Sequence, residues 1–126
     1  MQSIRSEDAP KAIGPYSQAV AYKDLLFVSG QIGINPKTGS IEGKTIEDQT
    51  RQVMSNIQAI LFAAGSDLAR VLKSTVFLSD LQDFGTFNNL YGEYFGDAPP
   101  ARTTVQAAKL PRDAKVEIDV IAYRVA

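Results

Sequence analysis

Two short segments near the C-terminus place charge where the surrounding residues favour burial. Pro100-Ala101-Arg102-Thr103-Thr104-Val105 carries an arginine after a stiff double-proline approach, and Val116-Glu117-Ile118 carries a glutamate between branched apolar residues. An arginine fork suits a carboxylate, because two parallel N–H groups meet its two oxygens. A glutamate near it can orient or deprotonate a water. The same two charges also fit a structural ion pair, and charge alone does not separate these readings. A buried, unpaired carboxylate at Glu117 would be costly, so a partner or a water is expected beside it.

The chain has no histidine and no cysteine. Histidine bases, Ser-His-Asp triads and histidine metal ligands are therefore excluded, together with disulfides, thiolate nucleophiles and thiolate metal sites. Any catalysis must run on carboxylates, Arg, Lys, Tyr, hydroxyls and backbone dipoles. Other residues that could contribute are Tyr16, held by Pro15, and Ser29-Gly30 at the end of an apolar strand. Glycine there permits close approach by a ligand, or simply marks a bulge or strand end. Tyr16 also fits a half-buried strand aromatic, Asn88 a solvated helix position, and Phe84 a core residue or pocket wall.

These residues need elements to hold them. With 126 residues, 44% apolar and 21% charged, the composition is that of one globular domain, residues 1–126. A net charge of −1 leaves no whole-chain footprint for nucleic acid or an anionic membrane. The N-terminal residues lack a signal-like apolar run, and no apolar stretch approaches a membrane span, so a cytoplasmic protein is expected.

Tyr16–Tyr22 and Leu25–Ile32 read as a hairpin around Lys23-Asp24, and Asn35-Pro36-Lys37-Thr38-Gly39 as a turn in an irregular region. Thr45 opens a helix with Asp48 three residues on; Val53, Ile57, Ile60, Leu61 and Ala64 share its apolar face, and Gly65 suits its C′ position. Gln49, Arg51, Gln52, Ser55 and Gln58 are assigned to its wet side. Val71–Ser79 reads as a strand. A second helix, capped by Asp80 or Asp83, carries Phe84, Phe87, Leu90, Tyr91, Tyr94 and Phe95 and ends before Pro99. Arg102–Ala108 and Lys115–Arg124 are the last strands, joined through Pro111-Arg112-Asp113.

The result is an α+β fold: a mixed five- to six-stranded sheet with two helices on one face, the sixth strand lying before Pro10. Val116, Ile118, Val120 and Ala122 belong under the helices. Glu117, Asp119, Ile121 and Tyr123 lie on a second face that is half apolar, which predicts a homo-oligomer. A hairpin centred near Arg112 would set Glu117 opposite Ala107, several residues from Arg102. The two charges then share a site only if those strands do not pair, or if a neighbouring subunit contributes.

Ala12-Ile13-Gly14-Pro15-Tyr16-Ser17-Gln18, Ser29-Gly30-Gln31, Asn35-Pro36-Lys37-Thr38-Gly39, Thr75-Val76-Phe77-Leu78-Ser79-Asp80-Leu81, Asp83-Phe84, Asn88, Tyr91, Pro100-Ala101-Arg102 and Val116-Glu117-Ile118 follow one another in order and at the right spacing. Together they resemble the YjgF/Rid family, the reactive intermediate deaminases also called endoribonuclease L-PSP-like proteins, over nearly the whole chain. The resemblance implies a chorismate-mutase-like homotrimer with ligand sites between subunits. It also implies hydrolysis of 2-imino acids (2-iminobutanoate, 2-iminopropanoate), released by pyridoxal-phosphate enzymes, to 2-keto acids and ammonia.

By position, Arg102 would bind the substrate carboxylate and Glu117 would activate water. Tyr16 would line or close the pocket, and Ser29 and Gly30 would supply polar backbone contacts. Phe84 and Asn88 would be pocket wall. Thr103 replaces the small residue, often serine, that commonly follows the arginine. Thr104 stands where several members have cysteine and would border the substrate; threonine serves there if the position acts through its backbone carbonyl. No metal or cofactor is implied, and the partners expected are small 2-imino and 2-keto acids. Two other readings stand beside this one: a non-enzymatic carboxylate-binding or holdase module on the same trimer, and an endoribonuclease. The latter is disfavoured by the missing histidine and the lack of basic-aromatic interleaving.

Overall fold

The computed structural model describes residues 1–125. Its strands are β1 (Gln2–Ile4), β2 (Ala19–Tyr22), β3 (Leu25–Gln31), β4 (Ile34–Asn35), β5 (Ser40–Ile41), β6 (Val71–Leu78), β7 (Ala101–Gln106) and β8 (Val116–Tyr123); its helices are α1 (Ile46–Ala63) and α2 (Phe84–Phe95). Six strands form one sheet in the order β1-β2-β3-β8-β6-β7, and β4 pairs only with β5. Every neighbouring pair in the large sheet is antiparallel except β6 and β7, which run parallel with α2 between them.

The expected hairpin of β7 and β8 does not form. β8 is inserted between β3 and β6, and β7 occupies the edge. Burial explains the choice. Val116, Ile118, Val120 and Ala122 are all at most 2% exposed and need the sheet centre, whereas Thr103, Thr104 and Gln106 give β7 the polar character of an edge strand. The second strand also starts later than expected. Tyr16-Ser17-Gln18 is loop, because the Gln18 side chain is buried and turned back, donating to the carbonyls of Ser6 and Pro10.

Helix α1 begins as its sequence dictates: the Thr45 side chain accepts from the Asp48 N–H. It ends in a Schellman motif, with the Ser66 N–H on the Leu61 carbonyl and the Gly65 N–H on the Phe62 carbonyl, Gly65 having φ +80°. Val53, Ile57, Ile60 and Leu61 are fully buried against β3 and β8, each stabilising the fold by about 1.5–3 kcal/mol. Gln49 corrects the expected wet side. It is buried, donates to the Gly43 carbonyl and accepts from the Lys115 N–H. A buried amide is tolerated there because both ends are paired. In α2, Phe87, Leu90 and Tyr91 are buried; Asp80 caps the short turn before the helix instead of the helix itself.

Both helices pack on one face of the sheet. The opposite face exposes Leu25, Phe27, Val105 and Tyr123. The expected half-apolar second face is present. Among the described residues no helix is long and apolar enough to cross a membrane.

Candidate functional site

Arg102 lies on the helix side. It is the register partner of Ser74 on β6, whose buried hydroxyl is 2.6 Å from the Tyr91 hydroxyl of α2. The Arg102 guanidinium carbon sits 4.9 Å from the Tyr91 ring centre, 5.6 Å from Phe84 and 5.8 Å from Phe87. Three π faces hold the cation without neutralising it. Among the described residues the guanidinium makes no salt bridge and no side-chain hydrogen bond, so its carboxylate-binding fork is free. Asn88, Tyr91, Gly92, Pro99, Pro100 and Arg102 line an open cavity of about 420 Å³.

Among the described residues four buried side-chain atoms lack partners: Thr50 Oγ1, Asp67 Oδ1 and two that bear on this region. Asn88 Oδ1 and Thr104 Oγ1 are buried and accept or donate nothing within the chain. Thr104 pairs with Val76, two residues beyond Arg102, and so shares its face. Unpaired buried polar atoms are rare and costly; Asn88 lines the same cavity as the unpaired Arg102, and Thr104 lies on its face. The unpartnered Thr104 hydroxyl is a feature that the sequence did not reveal.

Glu117 lies on the other face. It pairs with Phe77 on β6, three residues along from the Ser74–Arg102 row and one strand away. Strand alternation therefore puts Arg102 and Glu117 on opposite sides of the sheet. Glu117 faces a cleft of about 300 Å³ whose lining includes Tyr16, Gly30, Gln31, Lys11 and Arg112. Neither of these cations forms an ion pair with it. Its carboxyl pKa is raised, first by burial and then by the like charge of Asp119, and Arg102 contributes nothing.

Gly30 shows why that position has no side chain. β3 carries one extra residue between Val28 and Gln31 relative to β8, a bulge that lets Glu117 lie against Gly30. A Cβ on Gly30 would occupy the place of the Glu117 carboxylate. Tyr16 is half exposed, accepts the Ile13 N–H at 3.1 Å through its hydroxyl, and borders the same cleft. The Ser29 hydroxyl is already used, donating to the Ser17 carbonyl at 2.6 Å. The structure thus brings Tyr16, Gly30 and Glu117 together, with Ser29 adjacent. It brings Arg102, Phe84 and Asn88 together elsewhere, with Thr104 on their face.

The endoribonuclease L-PSP family profile matches residues 6–124. The chain belongs to this family, the YjgF/Rid proteins. A RutC family protein of Pyrococcus horikoshii is 54% identical over 121 residues, 96% of each chain. Reactive Intermediate Deaminase A, chloroplastic, of Arabidopsis thaliana is 48% identical over 119 residues, 94% of this chain and 64% of that protein. Among solved structures, Escherichia coli TdcF with bound serine matches with a TM-score of 0.94 and 42% identity, covering 99% of this chain and 100% of that one. YjgF/Rid proteins of this likeness share the two-helix, six-stranded architecture described above, and one of them holds a small amino acid.

Proposed function

We propose that this protein hydrolyses reactive 2-imino acids such as 2-iminobutanoate and 2-iminopropanoate, in sites completed between copies of the chain in a homotrimer. The observation that carries this reading is the separation of two incomplete half-sites. A free guanidinium with unpartnered polar atoms on its side of the sheet lies on one face, and a glutamate in no ion pair lies on the other. A second copy packed on the apolar open face brings one half to the other and covers Phe27, Val105 and Tyr123. The naming of a similar plant protein as a reactive intermediate deaminase, and the serine held by TdcF, support the substrate class.

In the joined site Arg102 of one copy holds the substrate carboxylate. Glu117 of the next takes a proton from water as the water oxygen adds to the imine carbon. The imine reacts as its iminium, so addition leaves a neutral carbinolamine. Glu117 returns its proton to the nitrogen, takes the hydroxyl proton as the C–N bond breaks, and releases it to solvent while ammonia and the 2-keto acid leave. Imines hydrolyse slowly unaided, so orientation and one general base suffice, each about 100-fold or more. The neighbouring Arg102 would also lower the raised Glu117 pKa and keep the base ionised. Tyr16 and Gly30 border the water, Phe84 and Asn88 the substrate side chain.

The test generates 2-iminobutanoate with a threonine dehydratase and follows keto acid formation with wild type and Arg102→Ala. Acceleration by wild type, lost in the variant, is expected; no acceleration, or an equally fast variant, defeats the reading. A monomer by light scattering at micromolar concentration defeats the shared site. If Glu117→Gln still binds 2-oxobutanoate but wild type does not speed hydrolysis, the protein is a carboxylate-binding module instead.

A further inference from the structure

The loop from Pro111 to Asp113 has a backbone that its residues do not favour. Arg112 and Asp113 both have φ 55°, the left-handed region, and neither is glycine. Two consecutive non-glycine residues in that region are strained, and such strain persists only where the surroundings enforce it. The turn is held by the Asp113 and Ala114 N–H groups on the Leu110 and Pro111 carbonyls, and Arg112 Nη1 donates 2.8 Å to the carbonyl of Gly39, in the turn between β4 and β5. The outcome is that Arg112, anchored at one nitrogen, lines the Glu117 cleft together with Lys11.

The cleft therefore carries two cations against one carboxylate, in a chain whose net charge is −1. Neither cation touches Glu117 in an ion pair. Their field is free to act on an incoming anion, and a concave, partly apolar wall focuses it. We infer that Arg112 is a specificity-determining residue that draws anionic substrates into the Glu117 cleft, its position bought with backbone strain. This inference rests on the imine-hydrolase reading and deepens it. Lys11, which lines the same cleft, adds to that field.

The strain gives the inference a signature that a merely structural arginine would lack. Asparagine tolerates left-handed φ far better than arginine does. Arg112→Asn is therefore expected to melt no lower than wild type, yet to show a 3- to 10-fold lower kcat/KM at about 20 mM salt, kcat being unchanged. The wild-type advantage should shrink at about 300 mM salt, where charges are screened within a few ångströms. Arg112→Lys should recover most of the low-salt rate. Equal kcat/KM for wild type and Arg112→Asn at low salt overturns the inference, as does a fall in melting temperature that accounts for the lost rate.

Binding of 2-oxobutanoate, followed by ligand-observed NMR at both salt concentrations, separates the two readings. If wild type hydrolyses the imine and binds the keto acid but Arg112→Asn matches it at every salt, only the Arg112 inference falls. If wild type binds without hydrolysis, and binding weakens in Arg112→Asn at low salt, the hydrolase reading falls and Arg112 keeps its role. If wild type neither hydrolyses nor binds, both fall.

Discussion

On the helix side of the sheet Arg102 rests against three aromatic rings, fixed in place and unneutralised. On the open side Glu117 sits in a cleft where burial and Asp119 push its pKa up and no cation pulls it down. Each face solves half of a chemical problem. The arginine can be held by π faces because a cation gains from them without losing its charge. A carboxylate has no such option; it must be hydrogen-bonded, paired or protonated. In the proposed reading, two charges arranged this way in one chain serve a function that one chain does not complete. The difference between the faces is what distinguishes a shared site from a buried ion pair.

The largest expected effect breaks this comparison outright. Arg102→Ala and Glu117→Gln should each lose about 100-fold or more of imine hydrolysis. Co-expressed in equal amounts, the two inactive proteins should regain activity, because about one site in four then takes its arginine and its glutamate from unmutated positions on neighbouring copies. Activity of the mixed assembly is the measurement. No recovery in a verified mixed oligomer means that both charges act within one chain or not together.

Much of this arrangement was legible in the residues themselves. The alternation Val116, Ile118, Val120, Ala122 against Glu117, Asp119, Ile121, Tyr123 correctly divided β8 between two faces, and Thr45, Asp48 and Gly65 correctly bounded α1. The pairing of β8 was not legible. Local pattern says which side of a strand is buried, but strand order depends on competition among strands for the central position. The β7–β8 hairpin was the shortest connection and still lost to the more apolar insertion. Gln49 failed for a related reason: its burial is set by partners at Gly43 and Lys115, far away in sequence. The strain at Arg112 left no trace in composition, since a left-handed arginine reads like any other turn residue.

A second experiment sharpens the open-face half. Gly30→Ala introduces a methyl where the Glu117 carboxylate lies, while the backbone at Gly30 is not left-handed. Stability should therefore change by less than about 1 kcal/mol, and kcat should fall about 10-fold or more as the base is displaced. Melting and kinetics on one preparation check both. A large loss of stability with unchanged kcat would show that Gly30 serves packing and not Glu117.

A third tests the electrostatics of that half through pH. Asp119 raises the Glu117 pKa, so Asp119→Asn should move the acid limb of kcat/KM to lower pH. The linked stability has a definite sign. Both carboxyls bind protons more tightly folded than unfolded, so their contribution is present at acid pH and is lost as pH rises from the ordinary carboxylate range through the raised folded values. Asp119→Asn should flatten that decline, read by denaturation at several pH values. An unmoved acid limb would mean that Glu117 is not the group whose ionisation sets the rate.

The smallest effect probes the helix-side half, where two properties of Tyr91 can be separated. Its ring supports Arg102, and its hydroxyl, 2.6 Å from that of Ser74, fixes the ring in a buried setting. Tyr91→Phe keeps the π face but leaves the Ser74 hydroxyl without its partner, which should cost about 1–3 kcal/mol of stability. Substrate affinity should hardly change, because the cation still lies on an aromatic ring. Tyr91→Leu removes the ring as well and frees the guanidinium to sample other rotamers, so KM should rise several-fold while kcat, set on the other face by Glu117, stays close to wild type. Steady-state kinetics on the pair of variants make the comparison. If leucine lowers kcat and leaves KM alone, the arginine is not the carboxylate anchor, and the division of labour between the two faces is wrong.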